Sequence, residues 1–263
     1  MDYKFILFEV ADGVATVTFN RPDKLNCLNR HMLAEIRDAV TRAGGDATVR
    51  CLMLTGAGRA FSTGQDLGER RAAANGAAPD LGGSLDRNYN PLVRALVDLE
   101  IPVLAAVNGP AVGAGANIAL VCDIVLAARS AYFLQAFSNI GLVPDCGGTF
   151  TLPRLAGGAR AMGLALLGER LDAPQAAEWG LIWACVEDDR LMPEASDLAR
   201  RLAQRPTKAL GLIKRAFRAG AGNDLDAQLD LERDLQRIAA ATDDFREGVD
   251  AFLEKRAPRF RGH

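Results

Sequence analysis

Histidine is almost missing: His31 and His263 are the only two among 263 residues. Any Ser–His or Cys–His nucleophile is therefore expected to depend on His31. That residue sits at a helix start, Asn29-Arg30-His31-Met32-Leu33, and reads as a surface side chain. The five cysteines (Cys27, Cys51, Cys122, Cys146, Cys185) are odd in number, far apart and contain no C-x-x-C pair. A disulfide framework or zinc site is not expected, and reduced thiols in a cytoplasmic protein are. No apolar run has the length of a bilayer span; Ile101 to Val107 has that of a buried strand. The start, Met1-Asp2-Tyr3-Lys4-Phe5, lacks the order of a secretory signal. Charge of one sign is not in excess: the formal net charge is −2, with no basic stripe, so neither nucleic acid nor a membrane is an expected partner.

Several chemical motifs are missing as well. There is no G-x-x-x-x-G-K-[ST], no G-x-S-x-G and no His/Cys/Asp cluster at metal-binding spacing, so no metal is expected. The glycines at 109, 113 and 115 invite a dinucleotide reading, but Ile118 stands where the last glycine of that fingerprint belongs.

What is present reads as α/β. Two β-rich runs, Phe5 to Val10 and Val14 to Phe19, flank Asp12-Gly13, a hairpin signal. A helix is expected from Arg30 to Ala43, stopped by Gly44-Gly45. Buried strands follow at Cys51 to Thr55 and Pro102 to Val107, then strands at Asp123 to Ala127 and Tyr132-Phe133. Residues 70–90, rich in Ala, Gly and Asp, read as a loop, either a flap over a site or a surface insertion. Pro91 to Leu99 reads as a helix, Asp172-x-x-Gln175 as a helix cap, and Gly180 to Val186 as a last exposed strand. Helices are expected near 191–203, 207–219, 224–241 and 243–255. This divides the chain into 1–190 and 191–263, although a helical layer on the same core fits equally well.

Two glycine-broken segments, 62–67 and 112–117, each follow a strand and offer backbone N–H groups. Helix N-termini and such loops suit an oxyanion. The stretch Asn139 to Gly148 places one carboxylate, Asp145, among apolar residues and glycine. Apolar surroundings favour the protonated form and bring a carboxyl towards the range of proton transfer. A turn Asp bonded to its own backbone is the other reading. Donors plus one acid suit proton transfer beside a carbonyl that becomes an enolate, with no cofactor.

The sequence resembles the crotonase (enoyl-CoA hydratase/isomerase) superfamily over nearly its whole length. The match lies in Asn20-Arg21-Pro22 with Leu25-Asn26, Ala60-Phe61-Ser62-Thr63-Gly64-Gln65-Asp66-Leu67, Asn108-Gly109, Gly113-Ala114-Gly115, Cys122-Asp123, Gly141 to Gly148, and Phe252 to Arg256. The resemblance implies a crotonase-like ββα spiral core with a C-terminal helical trimerisation region, a homotrimer or dimer of trimers, and an acyl-CoA thioester substrate. It also implies that the amides of Gln65 and Ala114 form the oxyanion hole. It places substrate and CoA contacts around Lys24, Leu25, Ala60, Ser62, Gly64, Asp66, Leu67, Gly113 and Pro144. Lys255 or Arg256 would reach a CoA phosphate, in the same subunit or a neighbouring one.

Departures from the family pattern narrow the activity. The two glutamates that handle water in hydratases correspond to Asn117 and Phe137, neither of which is a general acid or base. Asp145 stands where typical hydratases have glycine. Asn117 is expected to touch substrate or make a helix contact, and Phe137 to wall a flat ring or pack in the core. Cys146, with no base nearby, reads as a spacer or pocket wall. Within the superfamily the chain is similar to the ring-1,2-epoxyphenylacetyl-CoA isomerases of phenylacetate degradation, through Arg87-x-Tyr89-Asn90-Pro91-Leu92-Val93, Ala136-Phe137-Ser138, Pro144 to Thr149 and Asp230 to Asp234. That likeness implies conversion of the ring epoxide to 2-oxepin-2(3H)-ylideneacetyl-CoA, and Δ3-to-Δ2 shifts in simple enoyl-CoAs. The alternatives are an enoyl-CoA hydratase or other lyase of this fold, or a non-catalytic acyl-CoA or RNA binder.

Overall fold

The computed structural model describes residues 3–68 and 80–263. Strands β1 (Ile6–Ala11) and β2 (Val14–Phe19) form the expected hairpin, with Ala11 opposite Val14. Asp12 and Gly13 both take positive φ, +53° and +76°, which matches the twist of the strands they join. Helix α1 (Arg30–Gly45) starts at Asn29, whose side chain accepts from the Met32 amide. It ends at Gly45, so the helix stops at the expected glycine pair, two residues past Ala43. Gly44 is needed for packing: a Cβ there would lie 2.6 Å from Leu99 Cδ1.

Strand β3 (Cys51–Gly56) is parallel to β2. Of the stretch expected as a loop, 70–79 lies outside the described residues. From Asp80 on, the expectation is corrected: one helical turn (Leu81–Ser84), a wide turn (Leu85–Tyr89) and helix α2 (Asn90–Asp98) run together. Asp80 caps this start by accepting from the Gly83 amide, and buried Tyr89 ties it to the core.

The rest alternates between two sheets. Strand β4 (Val103–Val107) enters the large sheet, β5 (Ala111–Val112) the small one, and helix α3 (Ala114–Leu120) follows. Strands β6 (Ile124–Ala128) and β7 (Tyr132–Leu134) repeat the step before helices α4 (Gly148–Ala156) and α5 (Gly158–Leu167). Strand β8 (Arg170–Asp172), helix α6 (Ala173–Glu178) and strand β9 (Ala184–Val186) complete it. Asp172 caps α6 as expected, whereas Gly180 to Trp183 is a turn and only Ala184–Val186 pairs as strand. The large sheet has the order β1-β2-β3-β4-β6-β9, parallel beyond β2, and the small one β5-β7-β8.

Two single bridges, Leu28 to Gln65 and Ser62 to Ala111, continue the small layer towards the start of the chain. With them the early turns also read as strand, short pairing, helix, which is the expected ββα spiral. The core lies between the sheets and helices, where Leu52, Leu54, Leu104, Phe19 and Phe61 are fully buried. Helices α7 (Leu191–Ala203), α8 (Thr207–Gly220), α9 (Leu225–Ala240) and α10 (Asp243–Leu253) follow within a residue or two of their expected limits. Among the described residues no helix is long and apolar enough to cross a membrane.

Candidate active site

The site is built where the small layer hands over to α3. Ser62 accepts from Val112 N–H through its main-chain oxygen, and its own amide donates to Pro110. Gly64 then takes φ +81°, and a Cβ on it would lie 2.7 Å from Val112 O and 3.5 Å from Ala114 N. Only glycine fits this approach, and it brings the segment bearing Gln65 against the start of α3. Gly113 precedes that helix at φ +54° and ψ −123°, a conformation for glycine alone, with its N–H on Leu134 O. Ala114 begins the helix, where first-turn N–H groups have no acceptor within the helix.

One turn along the same helix, Asn117 is buried and donates from Nδ2 to the main-chain oxygen of Asp145 at 2.8 Å. Its Oδ1 accepts from Gln135 Nε2, also at 2.8 Å. All seven residues of α3 are buried, so one rigid element carries both the Ala114 amide and the side chain that holds the Asp145 turn. Asp145 is half-buried with its Oδ1 shut off from solvent. Cys146 and Gly147 follow at positive φ, +50° and +77°, so a cysteine and a glycine together make the turn. Burial, and after it the Asp145 carboxylate, push the Cys146 thiol up, which keeps it from acting as a thiolate. Phe137 is buried beside Gly113; a Cβ on that glycine would be 3.7 Å from its ring.

Other expected contacts take different places. Asn117 bonds the main-chain oxygen of Asp145 and the side chain of Gln135. Ser62 is fully buried with Oγ bonded to Asn26 O, and Ala60 O accepts from Asn26 Nδ2, so both shape the loop from behind. Asp66 forms an ion pair with Arg21 at 2.9 Å. Lys24 and Leu67 are exposed, and Leu25 and Pro144 are half-buried, leaving these four at the rim. Lys255 is exposed just past α10, and the tail after it is tied to Arg50 and Asp244, away from the site. Arg256 is held between Glu247 and Glu254, each at 2.6 Å, so its charge is answered locally.

Three residues escaped the sequence reading of the site: Arg21, Asn26 and Gln135. Asn26 is fully buried at φ +53° and bonds Arg21 N, Ala57 O and Ala60 O. Asn26→Ala is expected to lower stability by about 3 kcal/mol, since it strands buried carbonyls and a buried amide. Urea unfolding checks this; a change below about 1 kcal/mol would rule the keystone role out. Gln135 had a signal, a lone amide in the apolar run Tyr132-Phe133-Leu134-Gln135-Ala136-Phe137.

Residues 9–263 match the family model described as enoyl-CoA hydratase/isomerase. The chain belongs to that family. Among enoyl-CoA hydratase/isomerase proteins, it is 58% identical over 259 residues to the 1,2-epoxyphenylacetyl-CoA isomerase of Escherichia coli (strain K12), covering 98% of this chain and 99% of that one. It is 50% identical to a protein of Rhodobacter capsulatus named "Probable enoyl-CoA hydratase", over 100% of both chains. The crystal structure of an enoyl-CoA hydratase from Bacillus anthracis superposes with a TM-score of 0.93 at 32% identity, covering 99% of this chain and 100% of that one. The fold read above is thus the crotonase fold of this family.

Proposed function

We propose that this enzyme isomerises acyl-CoA thioesters, converting ring-1,2-epoxyphenylacetyl-CoA to 2-oxepin-2(3H)-ylideneacetyl-CoA and shifting Δ3 double bonds to Δ2. The observation that carries the reading is Asp145, an acid at the turn that Asn117 holds. Asn117 and Phe137 occupy the positions of the hydratase glutamates, one bonded to the Asp145 turn and the other against Gly113. The E. coli isomerase at 58% identity supports the same substrate class.

The ring epoxide opens to its oxepin by electron reorganisation alone. The Asp145 carboxylate takes a proton from the carbon between ring and thioester. The C–H electron pair moves into the new double bond, and the thioester oxygen becomes an enolate oxygen. The amides of Gln65 and Ala114 hold that charge. The enolate then collapses, the double bonds move along the ring, and Asp145, after exchanging its proton with solvent, protonates a ring carbon. No atom is gained or lost, and no cofactor is needed beyond the CoA of the substrate. Phe137 walls the flat ring. Lys24, Leu25 and Leu67 at the rim meet the CoA, and Lys255 reaches a phosphate in a neighbouring subunit. Exposed Phe217, Leu225, Phe252 and Leu253 on α8, α9 and α10 support association of subunits, here taken as a homotrimer or dimer of trimers.

A second reading, hydration of an enoyl-CoA, is favoured by the name of the R. capsulatus relative. Incubation with a Δ3-enoyl-CoA in deuterated water, and separately with crotonyl-CoA, separates the two. The expected result is the Δ2 product carrying deuterium, and at least about 100-fold slower formation of the 3-hydroxy product, because neither Asn117 nor Phe137 can activate water. Crotonyl-CoA hydration faster than Δ3 isomerisation would establish the second reading in place of the first.

A further inference from the structure

We propose that Gln135 and Asn117 form a buried amide relay that fixes the direction of the Asp145 carboxylate, and that both are positioning residues for the proton transfer; this rests on the isomerase reading and deepens it. The orientation of the relay is forced from one end. A main-chain oxygen can only accept, so Asn117 must present Nδ2 to Asp145 O. That turns Oδ1 to Gln135, which must answer with Nε2. Gln135 is 2% exposed, and its remaining atom, Oε1, is buried with no hydrogen-bond partner among the described residues.

A buried acceptor without a donor lowers stability, and a position that serves only packing does better with an apolar side chain of the same size. Gln135 is therefore poorly chosen for packing and well chosen for setting the Asn117 amide. The clamp has a second jaw. A Cβ at Gly148 would overlap the Asn117 amide, so this glycine leaves the room that Asn117 needs. Asp145 O also accepts from the Gly148 amide at 2.9 Å. With both lone pairs of that oxygen engaged, the main chain at Asp145 cannot rotate without breaking a buried bond. A fixed main chain at residue 145 in turn fixes where its side chain starts, and so limits the directions the carboxylate can take.

The test uses the full-length enzyme. Gln135→Met removes the orphan Oε1 and strands Asn117 Oδ1 in its place, so one unanswered acceptor replaces another. Its melting temperature is expected to stay within about 3 °C of the parent. Its kcat for Δ3 isomerisation is expected to fall ~10- to 100-fold with KM changed by less than about threefold, the pattern of a misaimed catalytic group. Gly148→Ala, pressing on Asn117 from the other side, is expected to give the same split. A second measurement is independent of catalysis: hydrogen–deuterium exchange of the peptide spanning 141–148 should quicken in both variants. Unchanged exchange there would overturn the relay. So would a large loss of melting temperature in Gln135→Met with unchanged kcat per folded molecule, which is a packing role alone. If the parent enzyme shows no isomerisation while exchange still quickens, the hold on the turn stands, and both the isomerase assignment and the catalytic part of this proposal fall.

Discussion

Asp145→Asn is expected to lower kcat for Δ3-to-Δ2 isomerisation by ~10³-fold, within the range a positioned general acid–base contributes. The substitution is nearly isosteric and removes only the ability to carry a proton. The bond from Asn117 goes to the main-chain oxygen of residue 145, so the turn keeps its shape in the variant. KM should therefore stay within about threefold, since binding does not use the lost charge. Deuterium uptake from solvent into the recovered thioester should fall in parallel with turnover, because uptake and isomerisation pass through the same abstraction. Steady-state kinetics and mass spectrometry of the acyl group read both. A variant keeping more than about a tenth of the parent kcat would show that another group carries the proton, and the assignment of Asp145 would be abandoned.

The second large effect belongs to Gly64→Ala. Gly64 stands at φ +81°, and the added Cβ would lie 2.7 Å from Val112 O. Two rigid backbone segments would have to part, moving the Gln65 amide away from Ala114. Losing one oxyanion donor costs ~10²- to 10³-fold in kcat, so a loss of that size is expected. Stability should fall too, by about 2 kcal/mol, from the left-handed conformation and the contact together. Gly157→Ala separates these causes. Gly157 has φ +79°, but nothing lies within 4 Å of a Cβ there. It should lose stability on the order of 1–3 kcal/mol from backbone strain and keep its kcat. Equal loss of kcat in the two variants would mean that general destabilisation, not the amide, is responsible.

Much of this was legible in the residues. β-rich runs around Asp12-Gly13 announced the hairpin, short apolar runs announced the buried strands, and helical periodicity placed the four C-terminal helices within a residue or two. Local chemistry announced the cap at Asp172, because a short polar side chain bonds an amide three residues on; the cap at Asn29 emerged only in the structure. The glycines at 64 and 113 and the acid at 145 were visible as departures from apolar runs. Less legible were the places where local signals have two meanings. Gly44-Gly45 read only as a helix stop, and the helix does end at Gly45, but Gly44 also lies close against Leu99. Residues 80–90 read as loop from their composition, yet the Asp80 cap and buried Tyr89 draw them into helix.

By itself, then, the sequence determined the order of elements, the glycine positions and the presence of one acid in an apolar setting, because each depends on neighbours within a few residues. The tertiary structure alone decided what Asn117, Ser62 and Gln135 do. Their partners lie 28, 36 and 18 residues away, at Asp145, Asn26 and Asn117. No periodicity or cap rule encodes bonds of that span; they arise only when the two sheets and α3 close on one another. Buried amides must then take whatever partners the closed core offers, or go without, as Gln135 Oε1 does among the described residues.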